Sequence, residues 1–274
     1  MSGRRGRVLA VGGSDNVGGA GIQADVKTVT ILGGYAMTAI TAVTVQDTTS
    51  VRRIRSLPGS LIEAQGRAAI ADIGVDAIKT GMLPTVAAVR AAAALADLAP
   101  QAKLVVDPVL VSSSGAKLFA DSSARALFRS LLPRADLFTP NAREAARIVG
   151  FDIDSTDDLR RAAETLLKRG PKAVLVKGGH VPGEMVTDLL VTGEGHWTFR
   201  RSRIATRHTR GTGCTLASAC AAGLALGLSV LEAVENATLY VAEAIRRAPG
   251  YGAGNGPLDH GWPANPGAIR SPRA

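Results

Sequence analysis

A chain of 274 residues with 46% hydrophobic and 20% charged residues has the composition of a folded globular protein, which excludes a disordered or low-complexity one. Aromatic residues make up only 4%, so the core falls to Ala, Val, Leu and Ile, and helices packed on a buried sheet are favoured over a β-sandwich. The formal charge of +9 invites a polyanionic partner, yet Arg4, Arg5, Arg7, Arg270 and Arg273 lie in acid-free end segments, and without them the charge falls to +4. No aromatic ladder or helix-turn-helix pattern accompanies it, so nucleic acid is not an expected partner.

Short apolar runs then alternate with helical patterns along the chain. Residues 7–11 predict a strand, followed by a Gly-rich turn and a helix over 20–32. Strands are predicted over 36–45 and 51–57, a helix over 60–73, and a short strand over 77–80. Pro84 precedes a helix over 86–98; a buried strand over 103–106 ends at Asp107-Pro108, and 122–132 is helical. The second half repeats this rhythm: strand 136–138, helix 141–149, a capped helix from Ser155 to about Arg169, and strand 173–176. Residues 185–191 and 195–199 read as an antiparallel pair on the sheet edge, and two helices and a Gly/Pro-rich tail close the chain.

Strands alternating with helices imply a mostly parallel sheet covered on both faces, an α/β/α arrangement with a short antiparallel edge. No linker, repeat or composition break divides the chain, so 1–274 is expected to be one domain, with a core over about 7–260. The uncharged run 211–231 has the length of a membrane span, but small residues dominate it, and Ser229-Val-Leu-Glu232 reads as a capping box that opens a second helix. Two buried helices are expected, and no membrane partner. Cys214 and Cys220, six residues apart on one helix, suit neither a bridge nor a zinc site; with no signal-peptide pattern, a reducing cytoplasm is the expected compartment.

The chemistry gathers at strand ends. Gly12-Gly13-Ser14-Asp15, Asp107-Pro108, Thr139-Pro140-Asn141 and Lys177-Gly178-Gly179 each follow a predicted strand, and in parallel sheets such ends converge on the ligand. Gly211-Thr212-Gly213-Cys214-Thr215 runs straight into a helix of small residues, so its first N–H groups and the helix dipole suit a phosphate. The same dipole would lower the pKa of the Cys214 thiol. The alternative is a tight turn before a closely packed helix, with Cys214 as apolar filler.

Asp107 reads either as a magnesium-associated carboxylate or as a turn residue before proline, and Glu144 either as a second such carboxylate or as a first-turn helix residue. Asp25 fits a substrate contact or a solvated helix position. Gln46, at the end of its strand, suits recognition of a polar ring edge, and Met82 suits a pocket wall or ordinary core. Gly19-Ala20-Gly21-Ile22-Gln23-Ala24 satisfies a relaxed dinucleotide fingerprint, but too far from the strand end and without the acidic residue the motif needs. No Walker A sequence is present, so a nucleotide would rest on the turn at 211–213 and Lys177.

Taken together, Gly13 to Asp25 with Lys27, Thr41 to Gln46, and Lys79-Thr80-Gly81-Met82-Leu83 resemble the hydroxymethylpyrimidine (phosphate) kinases of thiamine biosynthesis. So do Asp107-Pro108-Val109, Thr139-Pro140-Asn141 with Glu144, Val176 to His180, Gly211 to Thr215, and Gly254-Asn255-Gly256-Pro257, in the family's order over about 7–260. The resemblance implies the ribokinase-like fold, ATP and Mg²⁺ as cofactors, a homodimer, and phosphoryl transfer to a hydroxymethyl group on a small aromatic ring. It implies Gly211, Thr212 and Gly213 as the anion hole and Cys214 near the attacking hydroxyl, where sugar-kinase relatives carry a general-base Asp. Gln46 would recognise the pyrimidine, with Gly13, Ala20, Asp25 and Met82 shaping its pocket. Asn141, Glu144, Lys177 and Thr209 would serve the nucleotide and magnesium.

Two departures bear on substrate preference. Thr209-Arg210 stands where the family usually reads Thr-His, adding a cation beside the phosphates, and Asn16-Val17 replaces small or hydroxyl residues and would reshape the ring pocket. A pyridoxal kinase of the same superfamily is the nearest alternative, a non-catalytic binding protein of the same fold the next, and a dehydrogenase rests only on the relaxed fingerprint. If Cys214 is the general base, replacing it with Ala should lower turnover by roughly 10²-fold or more.

Overall fold

The computed structural model describes residues 5–110 and 121–264. Arg4, Arg270 and Arg273 of the basic ends lie outside them. In chain order the elements are β1 (Arg7–Ser14), α1 (Gly21–Ile31), β2 (Tyr35–Gln46), β3 (Val51–Ser56), α2 (Gly59–Asp72), β4 (Ala77–Thr80), α3 (Val86–Leu98), β5 (Lys103–Val106) and α4 (Asp121–Ser130). They continue as β6 (Leu137–Phe138), α5 (Ala142–Val149), α6 (Thr156–Leu167), β7 (Ala173–Val176), β8 (Met185–Thr192), β9 (Gly195–Ser202), α7 (Thr212–Ala225) and α8 (Val230–Arg246). Pro133 ends the helical run early, as a 3₁₀ turn over Leu132–Arg134.

The strands form one sheet in the order β3-β2-β1-β4-β5-β6-β7-β8-β9. From β2 to β7 neighbours are parallel; β8 and β9 form the expected antiparallel edge. The opposite edge is antiparallel too, because β3 folds back on β2. β4 and β7 are buried along their whole length, as apolar strands covered on both faces must be, whereas β9 alternates between half-buried and exposed positions.

Helices α2 to α6 cover one face over Leu, Val and Ile side chains; α1, α7 and α8 cover the other, where Ala217, Ala219, Ala221 and Ala222 of α7 are buried between the sheet and the neighbouring helices. This is the three-layer α/β/α arrangement. Capping boxes at Asn141/Glu144 and Ser229/Glu232 fix the starts of α5 and α8. No helix among the described residues is long and apolar enough to cross a membrane.

Candidate active site

A cavity of about 580 Å³ opens at the carboxyl ends of the parallel strands. The residues given catalytic, substrate, nucleotide or metal roles from the sequence all line it. Gly13, Ala20, Asp25, Gln46 and Met82 form one side; Asp107, Asn141, Glu144, Lys177 and Thr209 form the other; Gly211, Thr212, Gly213 and Cys214 lie between.

The turn before α7 is built by backbone geometry. Gly211 caps the helix with φ 81°, and a Cβ there would stand 1.9 Å from the Gly19 carbonyl oxygen, so only glycine lets the turn approach the loop after β1. Behind it, the Thr215 hydroxyl donates to the Gly211 carbonyl (2.8 Å) and lies 3.0 Å from His260 Nε2. Burial holds His260 down to about 4, so the ring is neutral at neutral pH. No side chain caps the first turn of α7, and Gly211 to Cys214 line the cavity, although the Thr212 N–H is taken by the Thr209 carbonyl at 3.3 Å.

A cation and a carboxylate face that turn. A Cβ placed on Gly213 would lie 3.2 Å from Lys177 Nζ and 3.7 Å from Asp107 Oδ2. Lys177 is ion-paired with Asp107 Oδ1 at 2.9 Å, and Thr139 Oγ1 donates to the same oxygen at 3.3 Å. Burial works against the charge on Lys177, but Asp107 and Glu144 outweigh it and hold its pKa above the ordinary value. Glu144 spends both oxygens on backbone N–H groups, Oε1 on Leu110 (3.0 Å) and Oε2 on Asn141 (2.9 Å). Val109, at φ 43°, adopts the left-handed backbone just before Leu110. Burial pushes Glu144 up to about 7, with Lys177 opposing. Among the described residues no group of three or more metal-ligating side chains gathers.

A lysine beside an uncapped helix start at a strand-end cavity is an arrangement that suits phosphoryl transfer. A family model described as phosphomethylpyrimidine kinase matches residues 15–259. The hydroxymethylpyrimidine/phosphomethylpyrimidine kinase of Streptomyces coelicolor is 49% identical over 93% of this chain and 94% of its own. The chain belongs to the phosphomethylpyrimidine kinase family. Among solved structures, the pyridoxal kinase of Staphylococcus aureus in complex with AMP-PCP and pyridoxal superposes with a TM-score of 0.87 at 34% identity, covering 94% of each chain. The phosphomethylpyrimidine kinase of Clostridium difficile gives 0.78 at 38%, covering 87% of this chain and 99% of its own.

Within this phosphomethylpyrimidine kinase fold, several expectations need correction. Asp25 is not solvated: it is 1% exposed, its Oδ1 pairs with Lys79 Nζ at 2.8 Å, and the Ser218 hydroxyl donates to the same oxygen at 2.7 Å. Arg210 lines the cavity but is tethered, because its Nε donates to Asp15 Oδ2 at 3.3 Å. Asp15 also accepts the N–H groups of Val17, Gly19 and Ala20, so Arg210 ties the loop after β1 to the glycine turn. Asn16 braces Gln46: its side-chain amide donates to the Gln46 carbonyl (3.0 Å) and accepts the Gln46 N–H (2.9 Å).

The Cys214 thiol is pushed up to about 11, not down. Burial is the main cause; Lys79 opposes it, while Asp25 and Asp107 add to it. The helix terminus loses to desolvation and two carboxylates, so Cys214 stays a thiol at neutral pH.

Lys79 and Ser218 are the site residues to which no role was attached from the sequence. Lys79 had a signal, since a lysine inside the apolar run Ala77-Ile78-Lys79-Thr80 must find a buried partner. Ser218 had none, being one small residue among many on α7. Beyond them, Asp188 accepts the Gly178 N–H (2.9 Å) and pairs with Arg201 (2.7 Å), fixing the loop that follows Lys177 against the β8–β9 edge.

Proposed function

We propose that this chain transfers the γ-phosphoryl group of ATP to the hydroxymethyl group of 4-amino-5-hydroxymethyl-2-methylpyrimidine, to the phosphate of its monophosphate, or to both in turn, in thiamine biosynthesis. The observation that carries the reading is the close approach at Gly213, where the helix start meets Lys177 and Asp107 at the wall of the strand-end cavity. Gly211, Thr212 and Gly213 would receive the transferring phosphoryl group on N–H donors, and Lys177 would neutralise its charge. Asn141 and Thr209 would line the nucleotide side. Gln46, braced by Asn16, would read the polar edge of the ring, with Met82, Gly13 and Ala20 as walls and Asp25 at the hydroxymethyl end.

The donors present suit Mg²⁺ held mainly by phosphates and water, as is common for that ion. Asp107 has Oδ2 free of Lys177 and facing the turn, whereas Glu144, with both oxygens engaged by backbone, would act through a bridging water. Magnesium would supply charge neutralisation of the β- and γ-phosphates. We further propose a homodimer in the cytoplasm: Val43 and Val45 stand about half exposed on the β2–β3 edge, a face that a second copy would cover.

The test is ATP consumption by the purified protein with the pyrimidine, its monophosphate and pyridoxal as separate acceptors. Turnover with either pyrimidine, at a kcat/KM well above that for pyridoxal, is expected. Preference for pyridoxal would move the reading to the other kinase of this fold. Hydrolysis or binding without transfer to any acceptor would overturn it.

A further inference from the structure

The phosphoryl-transfer reading leaves open which group takes the proton from the attacking hydroxyl. Cys214 occupies the expected place, yet it holds its own proton. A carboxylate lies close by on another element. Ser218 stands one helical turn past Cys214 on the same face of α7, and its hydroxyl reaches Asp25 Oδ1, as does Lys79 Nζ. Asp25 and Lys79 are both fully buried, and Asp25 lines the cavity with them. With Oδ1 consumed by two donors, Oδ2 has no hydrogen-bond partner among the described residues. A buried carboxylate oxygen without a partner is costly, and a ligand hydroxyl arriving in the cavity would satisfy it.

We infer that Asp25 is the proton acceptor for the substrate hydroxyl, that Lys79 and Ser218 hold it in position, and that Cys214 is its neighbour and not the base. This rests on the proposed phosphoryl transfer. In the step, the hydroxyl proton passes to Asp25 Oδ2 as the substrate oxygen bonds to the γ-phosphorus of the nucleoside triphosphate. The bond from that phosphorus to the β,γ-bridging oxygen breaks, and its electron pair leaves with the nucleoside diphosphate. Lys79 remains protonated throughout, and Asp25 returns its proton to water after product release. Burial makes the carboxylate more basic than a free one, against the pull of Lys79 and Ser218. The ionisable groups that face it are Lys79 from β4, Cys214 from α7 and Asp107 from the end of β5.

The test compares Asp25→Asn, Lys79→Met, Ser218→Ala and Cys214→Ser in steady-state kinetics across pH. Asp25→Asn should lower kcat by roughly 10²–10⁴-fold while acceptor KM moves by no more than about tenfold. Cys214→Ser should lose less than about tenfold and keep the acidic limb of the kcat profile where it is. In the intact chain activity falls as pH drops and Asp25 takes up a proton; Lys79→Met should move that limb to higher pH by removing the cation that favours the carboxylate, and Ser218→Ala should move it less. Carbon-13 titration of the Asp25 carboxyl gives the same ordering without turnover. If Asp25→Asn fails to fold because Lys79 loses its partner, the double variant Asp25→Asn/Lys79→Met removes both charges and carries the same prediction. Added formate should partly restore turnover to Asp25→Ala, which a purely structural role would not allow. If the intact chain phosphorylates an acceptor but Asp25→Asn keeps more than about a tenth of its kcat, the proton-acceptor role falls and the kinase reading stands. If the intact chain phosphorylates no acceptor, the kinase reading itself falls.

Discussion

On the face covered by α2 to α6, the sheet meets Ile62, Leu95, Leu127, Leu132, Leu159 and Leu166, a core of large aliphatic side chains. On the face covered by α1, α7 and α8 the buried layer includes Ala217, Ala219, Cys220, Ala221 and Ala222 of α7, and the Asp25–Lys79–Ser218 cluster is buried beside them. Bulk holds the first face apart and fills it. The small side chains of the second let the backbone of α7 lie close to the strands, so its N-terminal turn reaches the strand ends. The placement of the glycine turn therefore depends on the second face and not on the bulk of the first, and substitutions can separate the two.

The largest effect expected is on the turn itself. Gly211→Ala puts a Cβ 1.9 Å from the Gly19 carbonyl oxygen, at a backbone angle that L-residues avoid. The turn must open, the N–H donors lose their aim, and kcat/KM should fall by roughly 10²–10³-fold. Kinetics on the folded variant would show it, and near-normal turnover would mean that the turn is not the anion site.

The opposite face should answer with stability. Leu95 is fully buried on α3, away from the cavity lining. Leu95→Ala should cost about 3 kcal/mol in denaturant unfolding and leave KM and kcat within about twofold at a temperature where the variant stays folded. A loss of activity as large as that of Gly211→Ala would break the division of labour.

How far this division was legible in the sequence differs between the two faces. The alternation of apolar runs located β4, β5, β7 and α3 to the residue, because each is buried on a pattern set by its own side chains. The strand-end clusters announced the cavity for the same reason. What escaped were partners distant in the chain. Asp25 reads as a polar helix residue until Lys79 and Ser218, 54 and 193 positions away, are brought to it. Arg210 reads as an added cation, and its tether to Asp15, 195 positions away, is invisible in the sequence. The Cys214 thiol shows the same limit: its local helix terminus predicts a lowered pKa, and burial beside two carboxylates from other elements reverses the sign.

A third expectation concerns pH on the small-residue face. His260 buttresses the glycine turn through Thr215, and burial, aided by the charge of Lys27, depresses its pKa to about 4. Because the unfolded ring binds a proton near the ordinary histidine value of 6.5, the unfolded state takes up more protons between those values, and stability falls as pH drops through that window. The loss attributable to His260 should be about 2 kcal/mol between pH 7 and pH 5. In His260→Asn that part of the pH dependence should vanish, as chemical denaturation at the two pH values would show. An unchanged slope would mean that the ring is hydrated in solution.

The smallest effect tests the comparison most directly. Ala221 is fully buried on α7, against the sheet and its neighbouring helices. Ala221→Leu should cost about 1–2 kcal/mol of stability, since added methylenes in a packed core force side chains off their rotamers or shift the backbone. The shift matters more than the cost. If α7 moves outward, its N-terminal turn moves with it, away from Lys177 and Asp107. A small misplacement of a charge-stabilising group lowers turnover out of proportion to the stability lost, by as much as roughly 10²-fold per ångström. Ala221→Leu should thus lose less stability than Leu95→Ala and far more activity. If both variants instead lose activity only in proportion to the fraction unfolded, the small residues of α7 serve packing alone.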